Sequence, residues 1–250
     1  MGIFIKNDEQ IAIMRHASRI CANAHETLAR HVRPGVSTGE LNKIAHEYIL
    51  SQGAKPTFLG YRGFPAAACI SVNDEVIHGI PGIRKLKNGD IVSVDIGVRY
   101  KNFHGDAART HAVGTISDKH RRLIDAAEKS FFEGFRYAKA GLPLHDISAA
   151  VGDYIESQGF SVVEEWCGHG IGRQLHEDPQ VPHTRQDKRG PRLGRGMTLC
   201  IEPMINTGSG ETITRNDTWT VVTRDGGFSA HYENTILITD GEPDVLTICG

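Results

Sequence analysis

Residues 89–110, GDIVSVDIGVRYKNFHGDAART, decide the fold. Apolar residues recur at Ile91, Val92, Val94 and Ile96, and the alternation resumes after a short turn near Arg99 to Asn102. That pattern predicts two strands joined as a hairpin. Each strand carries one aspartate, Asp95 between Val94 and Ile96 and Asp106 just after His104-Gly105. A carboxylate flanked by Val and Ile on a strand is expected to be buried, and burial without a partner costs several kcal/mol. No Lys or Arg lies within three residues of Asp95, which points to a metal. A salt-bridged structural pair is the competing reading.

The arrangement occurs a second time. Gly196-Met-Thr-Leu-Cys-Ile-Glu202 matches Gly89-Asp-Ile-Val-Ser-Val-Asp95 at an offset of 107, so Asp95 maps onto Glu202. His231-Tyr-Glu233 repeats His104-Gly-Asp106, and His169-Gly170-Ile171 repeats His78-Gly79-Ile80. Tyr48-Ile-Leu-Ser-Gln-Gly53 returns as Tyr154-Ile-Glu-Ser-Gln-Gly159, at an offset of 106. Four segments aligned in one order imply an internal duplication. The halves, roughly 1–115 and 116–250, are expected to meet about a pseudo-twofold axis that gathers four carboxylates and two histidines.

With 250 residues, 39% hydrophobic and 23% charged, the chain can bury a sizeable core. A net charge of −2 exerts no global pull toward nucleic acid or membrane. Five cysteines without a CxxC spacing argue for reduced thiols and a cytoplasmic setting. No run reaches the length of a membrane span, and MGIFIKNDEQ lacks an apolar signal core. Met1-Gly2 looks like the start of a myristoylation signal, but Lys6 stands where Ser or Thr is needed.

Asn7 with Gln10, and Ser37 with Glu40, predict capped helices ended near Arg33-Pro34-Gly35 and at Gly53. Residues 54–68 read as an aromatic loop, and 69–72 and 75–78 as short strands. A helix is expected from the Ser117 cap through Ala140, then the repeated helix to Gln158. Strands are expected at 161–166, 197–203, 218–223, 229–238 and 243–247. The sum is one α+β domain over 1–250, with a central antiparallel sheet and helices outside it.

Asp95, Asp106, Glu202 and Glu233 are hard oxygen donors, and His169 is a borderline nitrogen donor. Four negative charges in one pocket repel unless cations neutralise them. Two divalent ions about 3.5 Å apart, bridged by two of the carboxylates, meet that need. Oxygen-rich ligation with one His suits Mn, Fe or Co better than structural zinc. Such a pair can hold a hydroxide near neutral pH and polarise a carbonyl, so hydrolysis of an amide or ester follows.

Taken together, seven motifs resemble the type I methionine aminopeptidases. They are Val76-Ile-His-Gly-Ile-Pro81, Val94-Asp95-Ile-Gly97, His104-Gly-Asp106, Gly168-His169-Gly-Ile-Gly172, His176-Glu-Asp-Pro179, Ile201-Glu202-Pro-Met204 and Tyr232-Glu233-Asn-Thr235. The resemblance spans nearly the whole chain and implies the pita-bread fold, which agrees with the duplication. Type II enzymes carry a helical insertion between the last two metal-binding glutamates; here only 31 residues separate Glu202 from Glu233. The lack of an N-terminal extension looks like the short bacterial form.

The resemblance also implies roles. Asp95 would hold one ion as a bidentate ligand, His169 and Glu202 the other, and Asp106 and Glu233 both. Glu202 would be the general base beside a metal-bridging hydroxide, passing a proton to the departing amine. His176 would donate to the carbonyl oxygen and His78 would contact the scissile amide nitrogen. The implied reaction removes the initiator methionine from nascent chains whose second residue is small. Tyr61, Phe64, Cys69 and Trp219, with His78 at the edge, would form the methionine pocket, rings and sulfur suiting a thioether. Two residues depart from the family pattern: Phe58 stands where a small residue is frequent, and Leu175 where phenylalanine is.

The stretch from His183 to Gly196 sets Arg185, Lys188, Arg189, Arg192 and Arg195 against Asp187 alone. Ribosomal RNA is one expected partner, and a solvated loop is the plainer reading. The expected protein is a monomer with no membrane contact. Competing functions are a prolidase or proline-specific aminopeptidase, which carry a separate N-terminal domain, and a metal-free pita-bread binding protein, which loses ligands.

Overall fold

A computed structural model describes residues 2–249. The helices are α1 (Asp8–Ala29), α2 (Thr38–Ser51), α3 (Asp118–Phe135) and α4 (Leu144–Ser157). The strands of the first half are β1 (Lys55–Pro56), β2 (Cys69–Val72), β3 (Glu75–Ile77), β4 (Ile91–Tyr100) and β5 (Phe103–Ala112). Those of the second half begin with β6 (Ser161–Val162), β7 (Gly168–Gly170), β8 (Glu177–Val181), β9 (Thr198–Ile201) and β10 (Met204–Asn206). They end with β11 (Thr212–Thr214), β12 (Val221–Thr223), β13 (Ser229–His231), β14 (Glu233–Leu237) and β15 (Asp244–Val245).

Local chemistry sets the first helices. Asn7 and Ser37 each accept the backbone N–H three residues on, and Gln10 and Glu40 reach back, so both capping boxes form. The repeated helices α2 and α4 are each 14 residues long. Each is followed by a glycine in the left-handed region, Gly53 at φ +69° and Gly159 at φ +77°, where a side chain would be strained.

β4 and β5 pair antiparallel along their whole length, Tyr100 opposite Phe103 at the turn. They sit in a sheet of order β1-β4-β5-β14-β9-β7-β8, with β2 on β4 and β15 on β14. The halves meet at β5 and β14, where Ala107 faces Asn234. These two residues stand one place after Asp106 and Glu233, so the pairing is the pseudo-twofold relation itself. Helices α1 and α2 bury Cys21, Leu28, Leu41 and Ile49 against β4. Helices α3 and α4 bury Leu123, Phe131, Ile147 and Ile155 against the second half. A third cluster, with Met14, Phe58, Phe64, Cys69, Leu175 and Cys200, lies where the halves face each other.

The second half departs from expectation in detail. Helix α3 ends at Phe135, not Ala140, because tight bonds from Tyr137 N–H to Gly134 O and Ala138 N–H to Phe135 O turn the chain and bury Ala138. The stretch 229–238 is two strands. It crosses from the small sheet β13-β10-β6 to the main sheet at Tyr232, whose N–H bonds to Pro203 O at 3.2 Å. Strand 197–203 stops at Ile201, before Pro203, which has no N–H to give. Segments 161–166, 218–223 and 243–247 pair only at 161–162, 221–223 and 244–245. β7, β8, β10 and β11 were not expected, and β1 lies inside the expected loop.

The ladder also corrects the repeat. Asp95 is opposite Ala108, two residues past Asp106, whereas the residue opposite Thr235, two past Glu233, is Cys200. Glu202 is two residues further on; with a strand period of two, the same face is kept. Likewise Cys69 lies opposite Asp95 and His169 opposite Cys200, so the structural counterpart of His169 is Cys69. His78 instead follows β3, which pairs with β12 in a separate sheet.

Candidate metal centre

Five donors converge from both halves: Asp95 on β4, Asp106 on β5, His169 on β7, Glu202 just past β9 and Glu233 opening β14. Ligand atoms of Asp106, His169, Glu233 and Cys200 lie within 4.8 Å of one another, as do those of Glu202, Glu233 and His231. His169 Nε2 is 3.4 Å from Glu202 Oε1. Its Nδ1 donates to Gly170 O at 2.9 Å, which leaves the Nε2 lone pair free to face the carboxylates.

One oxygen on each carboxylate, Asp95 Oδ1, Asp106 Oδ1, Glu202 Oε1 and Glu233 Oε1, is buried with no hydrogen-bond partner. Burial first, and neighbouring negative charge second, pushes the Asp95, Glu202 and Glu233 carboxyls well above their ordinary range. Burial likewise brings Asp106 up to about 7 and holds His169 down at about 3. Among the described residues no Lys or Arg forms an ion pair with the four carboxylates. Arg109, beside Glu233, spends its donors on Ala108 O, Glu233 O, Asn234 Oδ1 and Thr247 O. The salt-bridged reading therefore fails. Orphaned anionic oxygens and a free imidazole nitrogen are what divalent cations satisfy, so the residues fit such ions.

Two further histidines were missed. His183 Nε2 accepts the Glu202 N–H at 3.1 Å, and His231 Nε2 lies 3.9 Å from Glu202 Oε2. His231 carried a legible signal as the partner of His104 in the repeat. His183, in an irregular loop, carried none.

A cavity of about 760 Å³ opens over the carboxylates. His78, at φ +58°, meets Trp166 and Trp219 edge-on at 5.1 and 6.1 Å. Phe64 packs edge-on to Trp219 at 5.2 Å. Phe58, Cys69 and Leu175 also line the cavity and are buried. The His176 ring is centred 4.3 Å from that of His169, and its Nδ1 is 2.8 Å from Tyr61 Oη. Burial holds His78 and His176 at about 4, so both are neutral near pH 7. All eleven residues expected at the site thus surround one cavity. The basic loop lies elsewhere: Arg185 pairs with Asp153, Arg189 with Asp146 at 3.1 Å, and Arg195 with Asp8 and Asp240 at 3.0 and 3.2 Å. No helix among the described residues is long and apolar enough to cross a membrane.

Residues 12–240 match metallopeptidase family M24. Methionine aminopeptidase 1 of Bacillus subtilis (strain 168) is 51% identical over 245 residues, covering 98% of this chain and 99% of its own. Methionine aminopeptidase of Escherichia coli (strain K12) is 45% identical over 250 residues, covering 99% and 95%. The crystal structure of methionine aminopeptidase from Rickettsia prowazekii superposes with a TM-score of 0.97 at 38% identity, covering 99% of this chain and 100% of that one. The prolidase from Pyrococcus furiosus, at 22% identity and a TM-score of 0.79, shares the fold alone, and this chain covers 66% of it. The chain belongs to metallopeptidase family M24 and, within it, to the methionine aminopeptidases.

Proposed function

We propose that the chain removes the N-terminal methionine of nascent proteins and peptides whose second residue is small, using two divalent ions held by Asp95, Asp106, His169, Glu202 and Glu233. One observation carries this reading: four carboxylates drawn from both halves, each with a buried oxygen that has no hydrogen-bond partner, open onto a cavity walled by Tyr61, Phe64, Cys69 and Trp219. Manganese, iron or cobalt suits a donor set of carboxylates and one imidazole. Asp106 and Glu233, from the two central strands, would hold both ions.

When bound, the ions supply Lewis-acid polarisation of the scissile carbonyl and activation of the attacking water. Glu202 would take a proton from the attacking water and return it to the leaving amine. The backbone N–H of Glu202 on His183 holds it in place. His176 donates to the carbonyl oxygen as negative charge grows there, and His78 contacts the scissile amide nitrogen. Phe58 and Leu175 both line the cavity, Phe58 adding bulk where a small residue is frequent and Leu175 removing it where phenylalanine is.

We read residues 1–250 as a single catalytic domain whose expected site residues line one cavity, and the protein as a monomer. We place the protein in the cytoplasm, where its five unbridged cysteines remain thiols. Ion pairs engage Arg185, Arg189 and Arg195, three of the five cations of the Arg185–Arg195 loop, and we read that loop as a solvated surface.

The deciding experiment compares Met-Gly and X-Pro peptides on protein purified without added cobalt, with metal analysis of the same sample. Release of methionine with two ions per chain is expected. Preferential X-Pro cleavage would overturn the substrate, and a metal-free active protein would overturn the centre.

A further inference from the structure

We infer that Lys6 is a positioning residue for the reaction, acting through Glu177 on His176. The inference rests on the role proposed above for His176.

Lys6 precedes α1, far in sequence from the cavity, yet its side chain is buried. Its Nζ lies 2.7 Å from Glu177 Oε2 and 3.1 Å from Phe4 O, with 4% of either side chain exposed. Desolvating two charges is costly, and such a pair is weak evidence for stability alone. Its placement suggests another use. Glu177 directly follows His176, and its second oxygen accepts the Gln174 N–H at 3.1 Å. The same turn is closed by Gly172 N–H on Gln174 O at 3.0 Å and pinned by His104 N–H on Gly172 O at 2.9 Å. One carboxylate thus ties the 172–177 turn to a cation from a distant segment.

That segment is itself held. Lys6 N–H bonds to Gly196 O at 2.9 Å, and Asp8 pairs with Arg195 at 3.0 Å. Gly172 leaves the path open, for a Cβ there would fall 2.5 Å from Lys6 Cε and 2.7 Å from Glu177 Oε1. The product of this bracing is the place of His176, between His169 at 4.3 Å and Tyr61 at 2.8 Å. A displacement of about 1 Å in a group that donates to a transition state can cost about a hundredfold in rate.

The test is a double-mutant cycle on the metal-loaded enzyme. Lys6→Met is expected to lower kcat about tenfold or more, with KM and metal content near wild type, and Lys6→Arg to restore most of the loss. Placed on His176→Ala, Lys6→Met is expected to cause no further loss, because the group it positions is gone. Wild-type kcat in folded Lys6→Met, or losses that multiply in the double variant, would overturn the inference. Unchanged kcat in His176→Ala alone would instead remove the role of His176, and is read separately. Should Lys6→Met fail to fold, Glu177→Gln, which keeps an acceptor for Gln174, passes through the same cycle under the same criteria.

Discussion

Tyr61 Oη lies 2.8 Å from His176 Nδ1, so a loop before β2 in the first half holds an imidazole carried by the second, the one proposed to act on the carbonyl oxygen. If the hydroxyl donates to Nδ1, the imidazole proton sits on Nε2, available to an oxygen that becomes negative. Tyr61→Phe keeps the ring and removes this partner. The expected loss in kcat is about tenfold, the scale of one hydrogen bond near 1.4 kcal/mol, with metal content unchanged. Steady-state kinetics on a Met-Gly peptide with metal analysis checks it; an unchanged kcat would show that the hydroxyl does not set the imidazole.

Glu202 and His176 separate by what they lose. Glu202→Ala removes the proposed base and a proposed ligand of the ions, so turnover is expected to vanish and bound metal to fall. His176→Ala is expected to lose about a hundredfold in kcat while metal content stays at the wild-type level, since its proposed role is toward the carbonyl oxygen. Metal analysis beside single-turnover rates distinguishes the two. Near-wild-type turnover in Glu202→Ala would remove the assigned base.

Much of this site was readable in the chain because its parts lie on strands that repeat. Asp95, Asp106 and Glu233 stand in short apolar runs with the strand period, and the matching His-x-acidic triplets placed the second half against the first. What could not be read was register. The shift that puts Cys200, not Glu202, opposite Thr235 depends on where β9 stops, and that is set by Pro203 and the crossing at Tyr232. The short strands β7, β8 and β11 are rich in Gly, Pro, charge or Thr, and they pair through tertiary context rather than local pattern. Lys6 gave no signal at all, since its partner lies 171 residues away.

Acid should weaken the metal-loaded protein at unusually mild pH. Burial holds His104 and His111 at about 4 and His183 and His231 at about 3, against 6.5 for an unperturbed imidazole. Below pH 6.5 the unfolded chain takes up protons that the folded chain refuses, so stability is complete above 6.5 and falls until the folded values near 4 and 3 are passed. Chelation should add a slope of the opposite sign. Asp106, raised from 3.8 to about 7 without ions, stabilises the fold below 3.8 and loses that contribution as pH rises through 7. Urea unfolding of loaded and chelated protein from pH 4 to 8 checks both signs; a loaded protein equally stable at pH 4.5 and 7 would contradict the neutral-histidine core.

Gly105 separates His104 from Asp106, and the reason is helix α1. A Cβ at 105 would stand 2.6 Å from Ser18 Oγ and 2.8 Å from the Ser18 backbone nitrogen and Cα. The serine hydroxyl can rotate away, but the helix backbone cannot retreat freely. Cys21 Sγ donates to Ile96 O at 2.9 Å and His25 Nε2 to Ala107 O at 2.8 Å, clamping α1 to both strands of the hairpin. Gly105→Ala must therefore push the hairpin rather than the helix, and overpacking of this kind costs about 1–3 kcal/mol. The pushed residue adjoins Asp106, so the variant is expected to lose metal affinity along with stability. Urea unfolding with calorimetric titration of Mn(II) measures both. Loss of stability with unaltered metal binding would mean that the strain is absorbed by α1 and never reaches the carboxylate.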